Sequence, residues 1–165
     1  MAFPSDGSNP PVRVAGPKDI PHLVRHHLLM FDEIWDLKGE AIDPAARDAV
    51  GKEYREKLAR EFTTGTCVAW VVEVKGAVAA SGAVSILPYV PVPHDPESRI
   101  AILHSIYTEK GYRRRQFARR ITDAAAGYCR DQGVHRMYLF ASTDGQKVYE
   151  QAGFSPVPNM MMRLL

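Results

Sequence analysis

The chain is poor in cysteine: Cys67 and Cys129 are the only two in 165 residues. They form no disulfide framework and have no metal-ligand spacing. No apolar run approaches the roughly 18 residues that a membrane-spanning helix needs. The first ten residues, MAFPSDGSNP, lack the basic start and apolar stretch of a secretory signal. A large excess of one charge is lacking too, with 21 Lys+Arg against 19 Asp+Glu and a net charge of +2. These absences set aside membrane-spanning, disulfide-rich secreted and zinc-module classes, and the charge total is too small to imply a nucleic-acid binder by itself. A reduced, cytoplasmic protein with no membrane partner is the expectation. What is present, 45% hydrophobic and 24% charged residues, suits one globular domain able to bury its own core.

The pattern along the chain predicts the elements. Residues 1–11 read as a disordered leader, and residues 12–165 as one domain. Val12–Ala15 alternates as a short strand. Ile20, Leu23, Val24, Leu28 and Phe31 recur at helical spacing after Asp19, a plausible N-cap, and that helix ends near Lys38-Gly39. Asp43-Pro44 opens a second, heavily charged helix that ends at Thr64-Gly65. Cys67–Val74 and Ala77–Leu87 flank Lys75-Gly76 as a hairpin. Four prolines between Pro88 and Pro96 mark a loop, and Arg99–Thr108 is a long strand. A helix from Arg113 to Arg130, a strand at Val134–Ala141, a short helix at Gly145–Ala152 and a closing strand of Phe154 with Met160–Leu165 complete the order. The fold class is α/β: a mixed, mostly antiparallel sheet of six to seven strands flanked by about four helices.

Chemistry concentrates in Ser105–Ala118, SIYTEKGYRRRQFA, where a strand runs through a basic turn into a helix. The first turn of a helix carries unpartnered N–H groups and the positive end of the macrodipole, which suits a phosphate. Lys110–Arg120 adds six basic residues and no acidic one. A solvated basic helix end is the plainer reading of that stretch alone.

Over residues 12–165 the arrangement resembles the GCN5-related N-acetyltransferase (GNAT) family. The family's Q/R-x-x-G-x-G/A turn falls on Arg113-Arg114-Arg115-Gln116-Phe117-Ala118. Its aromatic before Gly-Phe falls on Tyr149, ahead of Gly153-Phe154. The resemblance implies an acyltransferase that moves an acetyl group from acetyl-CoA to a primary amine by direct attack in a ternary complex, without a metal. It places the diphosphate of acetyl-CoA against Arg113, Arg114, Arg115, Gln116, Phe117, Ala118 and Arg119. The pantetheine arm follows the backbone of Ile106, Tyr107 and Thr108, with the Ile106 N–H aimed at the thioester oxygen. Ser142 borders that arm and also reads as a helix cap. Gln116 departs from the family glycine, a place where a bare Cα lets phosphate oxygens approach. The first turn of a helix does not itself require glycine there, so a retained but weakened or displaced site is expected.

The resemblance makes Tyr149 the general acid toward the leaving sulfur, since a phenol stays protonated at neutral pH. His104 is one general-base candidate; period-two alternation puts it on the face of Ile102 and Ile106. Glu33, near the end of the first helix, is the other. Asp32, Glu33 and Asp36 beside Phe31 and Trp35 would favour a cationic small-molecule acceptor. His26 and His27 are adjacent and cannot share a metal at helical spacing. Met160–Met162 reads as an ordinary buried strand, and both cysteines as inert and buried. A homodimer is a family habit. The competing readings are a silent acetyl-CoA-binding or sensing protein, motivated by Gln116, and a basic nucleic-acid module using Arg113–Arg120.

Overall fold

A computed structural model describes residues 9–165. The elements are β1 (Val12–Val14), a 3-10 turn (Pro17–Asp19), α1 (Ile20–Leu37), α2 (Pro44–Thr64), β2 (Cys67–Val74), β3 (Ala77–Pro88), β4 (Arg99–Thr108), a second 3-10 turn (Lys110–Tyr112), α3 (Phe117–Asp131), β5 (Met137–Leu139) and α4 (Gln146–Gln151). The sheet runs β1-β2-β3-β4-β5. Its first four strands are antiparallel, and β5 lies parallel to β4 across the α3 crossover, since parallel neighbours cannot be joined by a tight turn.

The two sheet faces are covered by different helices. Ile20, Leu23 and Val24 of α1 with Tyr54 and Leu58 of α2 pack on Cys67, Ala69, Val71 and Ala83. On the other face Phe117, Ile121, Ala125 and Cys129 of α3 meet Trp70, Val72, Val84, Ala101 and Leu103. Leu58 and Ile121 are fully buried, and truncating either to alanine should cost about 2–5 kcal/mol. The charged α2 buries only Gly51, Tyr54 and Leu58. Asp43 caps it by accepting from the Ala46 N–H at 2.9 Å, and Gly65 ends it at φ 71°. Asp19 is not the side-chain cap of α1. Its carboxylate reaches back to the Gly16 N–H at 2.8 Å and to Arg13, capping the preceding 3-10 turn instead.

Three expectations need correction. Among the described residues the sheet has five strands rather than six or seven, because no strand closes it after Phe154. Pro156 and Pro158 remove two ladder donors from an already short segment, and a Met160-to-Val157 turn follows. Met161 and Met162 are consequently 94% and 83% exposed, not a buried strand. The fifth strand is three residues long rather than eight: Val134 is spent closing α3 through its N–H to the Cys129 carbonyl, and Phe140 is already exposed. Finally, α3 starts at Phe117, after a turn that Arg113–Gln116 make in non-helical conformations.

Most of the leader, residues 1–8, lies outside the described residues. Asn9 and Pro10 are held by the Arg120 guanidinium, at 2.6 Å each. Both cysteines are buried free thiols, pushed up to about 11 by burial.

Candidate active site

β4 and β5 share only three residue pairs, Ala101 with Met137 through Leu103 with Leu139. β4 continues five residues further, to Thr108. Its β5-side edge is therefore unpaired from His104 onward, and a wedge opens between two parallel strands. Helix α3 follows β4 after residues 109–116 and packs on the sheet face formed by β2, β3 and β4.

Backbone alternation identifies which amides look into this wedge. The Glu109 N–H donates to the Ala79 carbonyl on β3 at 2.9 Å. With a two-residue period, Tyr107 points the same way, and the N–H groups of Ile106 and Thr108 point into the wedge. The opposite parity holds lower in the strand, where the Ala101 N–H donates across to the Arg136 carbonyl leading into β5. Parity switches at a β-bulge. Between Ser81 and Ala83 of β3 stands one residue, Gly82, but between their partners Tyr107 and His104 stand two, Ser105 and Ile106. Ser105 stands at the bulge with a left-handed φ of 57°, the conformation of one bulge type. A side chain on Gly82 would collide with Ile106, whose Cδ1 would stand 2.2 Å from its Cβ. The bulge also corrects the face assignment. His104 and Tyr107 face the side covered by α1 and α2, whereas Ile106 faces the α3 side.

The backbone of the basic turn leaves amides without acceptors. Arg114 and Gln116 both have left-handed φ, 62° and 60°. No side chain caps α3, and the Arg120 N–H is the first to find a helical acceptor, the Gln116 carbonyl at 3.0 Å. The amides of Phe117, Ala118 and Arg119 precede it and have no acceptor in the helix. Glycine at position 116 would thus relieve backbone strain as well as steric crowding; the expectation that this position needs no glycine is corrected. The Gln116 side chain is exposed.

The arginines divide by task. Arg113 turns away from the turn and onto α1: its Nε donates to the Thr108 carbonyl at 3.0 Å and its Nη2 to both oxygens of Glu33 at 2.8 Å. Arg119 pairs with Asp123 and donates to the Gln151 carbonyl at 2.7 Å, tying α3 to α4. Among the described residues, Arg114 and Arg115 have no ion-pair partner, and both are exposed.

Tyr149 projects from α4 against Phe154 and lines a cavity of about 360 Å³ that includes Leu139, Phe140 and Ala141, where β5 leaves β4. Burial pushes its phenol up, which keeps it protonated. Ser142 is not the cap of α4, whose N-cap is Gly145 without a side-chain hydrogen bond; its Oγ accepts from the Gly145 N–H at 3.2 Å and closes the turn before the helix.

A second cleft, of about 600 Å³, lies between α1, the α1–α2 loop and Tyr107–Gly111. Glu33 sits at its wall and also accepts from the Tyr107 hydroxyl at 3.0 Å. Asp32 is occupied by Arg47 through bonds of 2.8 and 2.7 Å. Asp36 and Glu40 line the cleft without an ion-pair partner among the described residues.

Glu33, Tyr107 and Arg113 are therefore brought together, and Arg113 ties the basic turn to the Thr108 carbonyl at the end of β4. His104 is not brought to either group. Its Nε2 meets Ser85 Oγ and its Nδ1 meets Ser105 Oγ, both at 2.9 Å, and burial drives its imidazole down to about 3. Sequence reasoning missed the residues around it: Ser105, His27, Tyr54 and, nearby, His26 with Ser81 and Glu109. Ser81 and Ser85, polar residues four apart in an apolar strand, were the available signal.

A model of the acetyltransferase (GNAT) family matches residues 29–154. No curated protein matches the chain. Among solved structures, a predicted acetyltransferase with acetyl-CoA from Clostridium acetobutylicum superposes with a TM-score of 0.82 at 22% identity, covering 93% of this chain and 95% of that one. A GCN5-related N-acetyltransferase from Ralstonia eutropha gives 0.81 at 22% identity, covering 93% and 97%. Glucosamine-6-phosphate N-acetyltransferase from Arabidopsis thaliana gives 0.68 at 16% identity, covering 95% and 99%.

Proposed function

Because the chain belongs to the GNAT family of acetyltransferases, we propose that it transfers an acetyl group from acetyl-CoA to a primary amine, with both substrates bound together. The observation that carries this reading is the wedge. The unpaired end of β4 offers two strand amides, and the chain that follows it leads through a turn with two left-handed residues to an uncapped helix N-terminus and, among the described residues, two arginines without ion-pair partners. Oriented amides and a positive field are what a diphosphate needs. The residues present fit acetyl-CoA, which supplies the activated thioester.

The chain's own residues then have separable tasks. Amides of Phe117–Arg119 hold the diphosphate, with Arg114 and Arg115 adding attraction. The Thr108 amide helps hold the pantetheine arm in extended form. The Ile106 amide faces the thioester oxygen and stabilises the negative charge that grows there. Tyr149 donates a proton to the departing sulfur. The amine enters from the cleft by α1, where Asp36 and Glu40 favour a cation. Of the two base candidates, His104 has both ring nitrogens engaged and Glu33 carries Arg113 and Tyr107. Glu33 alone faces the amine cleft, so proton removal is assigned to it, directly or through water.

Release of coenzyme A from acetyl-CoA across a panel of primary amines tests the reading. Amine-dependent release is expected. Tight binding of acetyl-CoA with no release for any amine would make the protein a silent binder, which is what the side chain at position 116 would favour.

A further inference from the structure

The bulge that turns the Ile106 amide into the wedge is a strained feature, and the side chains around it show what holds it. Ser105 keeps a left-handed φ of 57°, a conformation costing about 1–2 kcal/mol for a residue with a Cβ. Its hydroxyl lies between two imidazoles: His27 Nδ1 of α1 at 2.8 Å and His104 Nδ1 of the same strand at 2.9 Å. His104 is fixed in turn by Ser85 of β3. His27 is fixed by Tyr54 of α2, stacked on it with ring centroids 4.0 Å apart, and by the edge of Phe31 at 4.9 Å. Both helices of this face and both strands of the bulge therefore converge on one hydroxyl.

We propose that the Ser105 hydroxyl, shared by His27 and His104, is a clamp that keeps the bulge in place and so aims the Ile106 amide at the reacting carbonyl. The three are positioning residues, acting through a backbone group that none of their side chains replaces. The donor count closes in either direction along the chain. A ring N–H donates to Ser105 Oγ, and the Ser105 hydroxyl proton goes to the unprotonated Nδ1 of the other ring. Such a chain needs both rings neutral, and burial pushes His27 down to about 4, so it is intact at neutral pH. Without the bulge, strand parity set at Ala101 would turn the Ile106 N–H toward β3 and leave Ser105 and Tyr107 facing the wedge instead. A one-residue change of register would thus remove the oxyanion donor while leaving most of the sheet paired.

The inference rests on the proposed function, and the test separates the two. In a ¹H–¹⁵N spectrum of the full chain, acetyl-CoA should move the Ile106 amide proton downfield, and coenzyme A without the acetyl group should not. In His27→Ala and Ser105→Ala that downfield shift should be lost. Turnover should fall roughly tenfold, the scale of one weakened oxyanion donor, while the dissociation constant for coenzyme A stays within about twofold. His27→Asn, which places a polar atom near the former Nδ1, should restore most of both. If His27→Ala does not fold, Ser105→Ala and His27→Asn carry the test. Unchanged turnover and an unchanged Ile106 shift in folded variants would overturn the clamp while leaving the function standing. So would an equal loss of coenzyme A affinity and turnover with no rescue by asparagine. Failure of the unaltered protein to bind coenzyme A would overturn the function first and the clamp with it.

Discussion

Arg113 and Glu33 join the two halves of the site. One guanidinium nitrogen sits 2.8 Å from each carboxylate oxygen, while the same arginine's Nε holds the last carbonyl of β4. The amine cleft and the phosphate turn are thereby braced against each other across the strand end.

Removing that brace should be felt at the phosphate end. Glu33→Gln is expected to weaken coenzyme A binding roughly fivefold, because a half-exposed ion pair is worth about 1 kcal/mol at most. If Glu33 also takes the amine proton, turnover should fall at least roughly tenfold in this variant. Calorimetry and steady-state rates read the two effects separately, and a variant identical to the parent in both would release Glu33 from either task.

Gln116→Gly should stabilise the fold and improve the site together. The left-handed residue would lose its steric penalty at a small cost in chain entropy, a net gain of about 0.5–1 kcal/mol. A higher melting temperature with tighter coenzyme A binding is expected. Tighter binding without stabilisation would mean that only crowding, not backbone strain, had opposed the diphosphate.

Tyr149→Phe should lower turnover tenfold or more and leave coenzyme A affinity within about twofold. Pre-steady-state release of coenzyme A would show whether the loss lies in the transfer step. An unaltered rate would leave Tyr149 as a packing partner of Phe154.

Of the two aspartates of α1 at the amine cleft, only Asp36 is expected to attract the acceptor. Asp36→Asn should raise KM for a dicationic amine about threefold, an effect that added salt erodes. Asp32→Asn should do little to KM, because Arg47 already neutralises Asp32; it should instead loosen the α1–α2 contact and lower the melting temperature slightly.

Acid should act at a distance from the site. Hydrogen bonds from Arg13 hold Asp19 down at about 2, from an ordinary 3.8. A carboxyl with a depressed folded-state pKa stabilises fully above its unfolded value and loses that contribution as pH falls through the folded one. Asp19 is buried, but Arg13 is a third exposed, so the contribution is on the order of 1 kcal/mol. Urea midpoints should fall between pH 4 and pH 2 in the parent and much less in Asp19→Asn.

Periodicity and punctuation carried most of the fold. The helical spacing of Ile20–Phe31, the Asp43-Pro44 start, the Lys75-Gly76 turn and the long β4 all form where the pattern puts them. Local signals were decisive there because hydrophobic period, cap and turn agree. The misplaced features are those that depend on a partner. Met160–Leu165 has strand composition, but a strand exists only if it pairs, and the prolines before it deny that. The bulge at Ser105 left no mark in the strand's own composition, so alternation alone put His104 and Ile106 on one face. The phosphate turn was legible as a charge cluster, yet its division into bracing arginines, Arg113 and Arg119, and unpaired ones, Arg114 and Arg115, depends on Glu33 and Asp123, which meet them only in space or one helical turn away.

Calorimetric titration of the protein with acetyl-CoA, repeated on Arg114→Glu/Arg115→Glu, tests the phosphate site most directly. One-to-one binding by the parent and at least a tenfold weaker constant in the charge-reversed variant are expected, since two attractive charges become repulsive beside the exposed amides of α3. Absence of binding by the parent, or equal affinity in both proteins, would contradict a diphosphate seated on this turn.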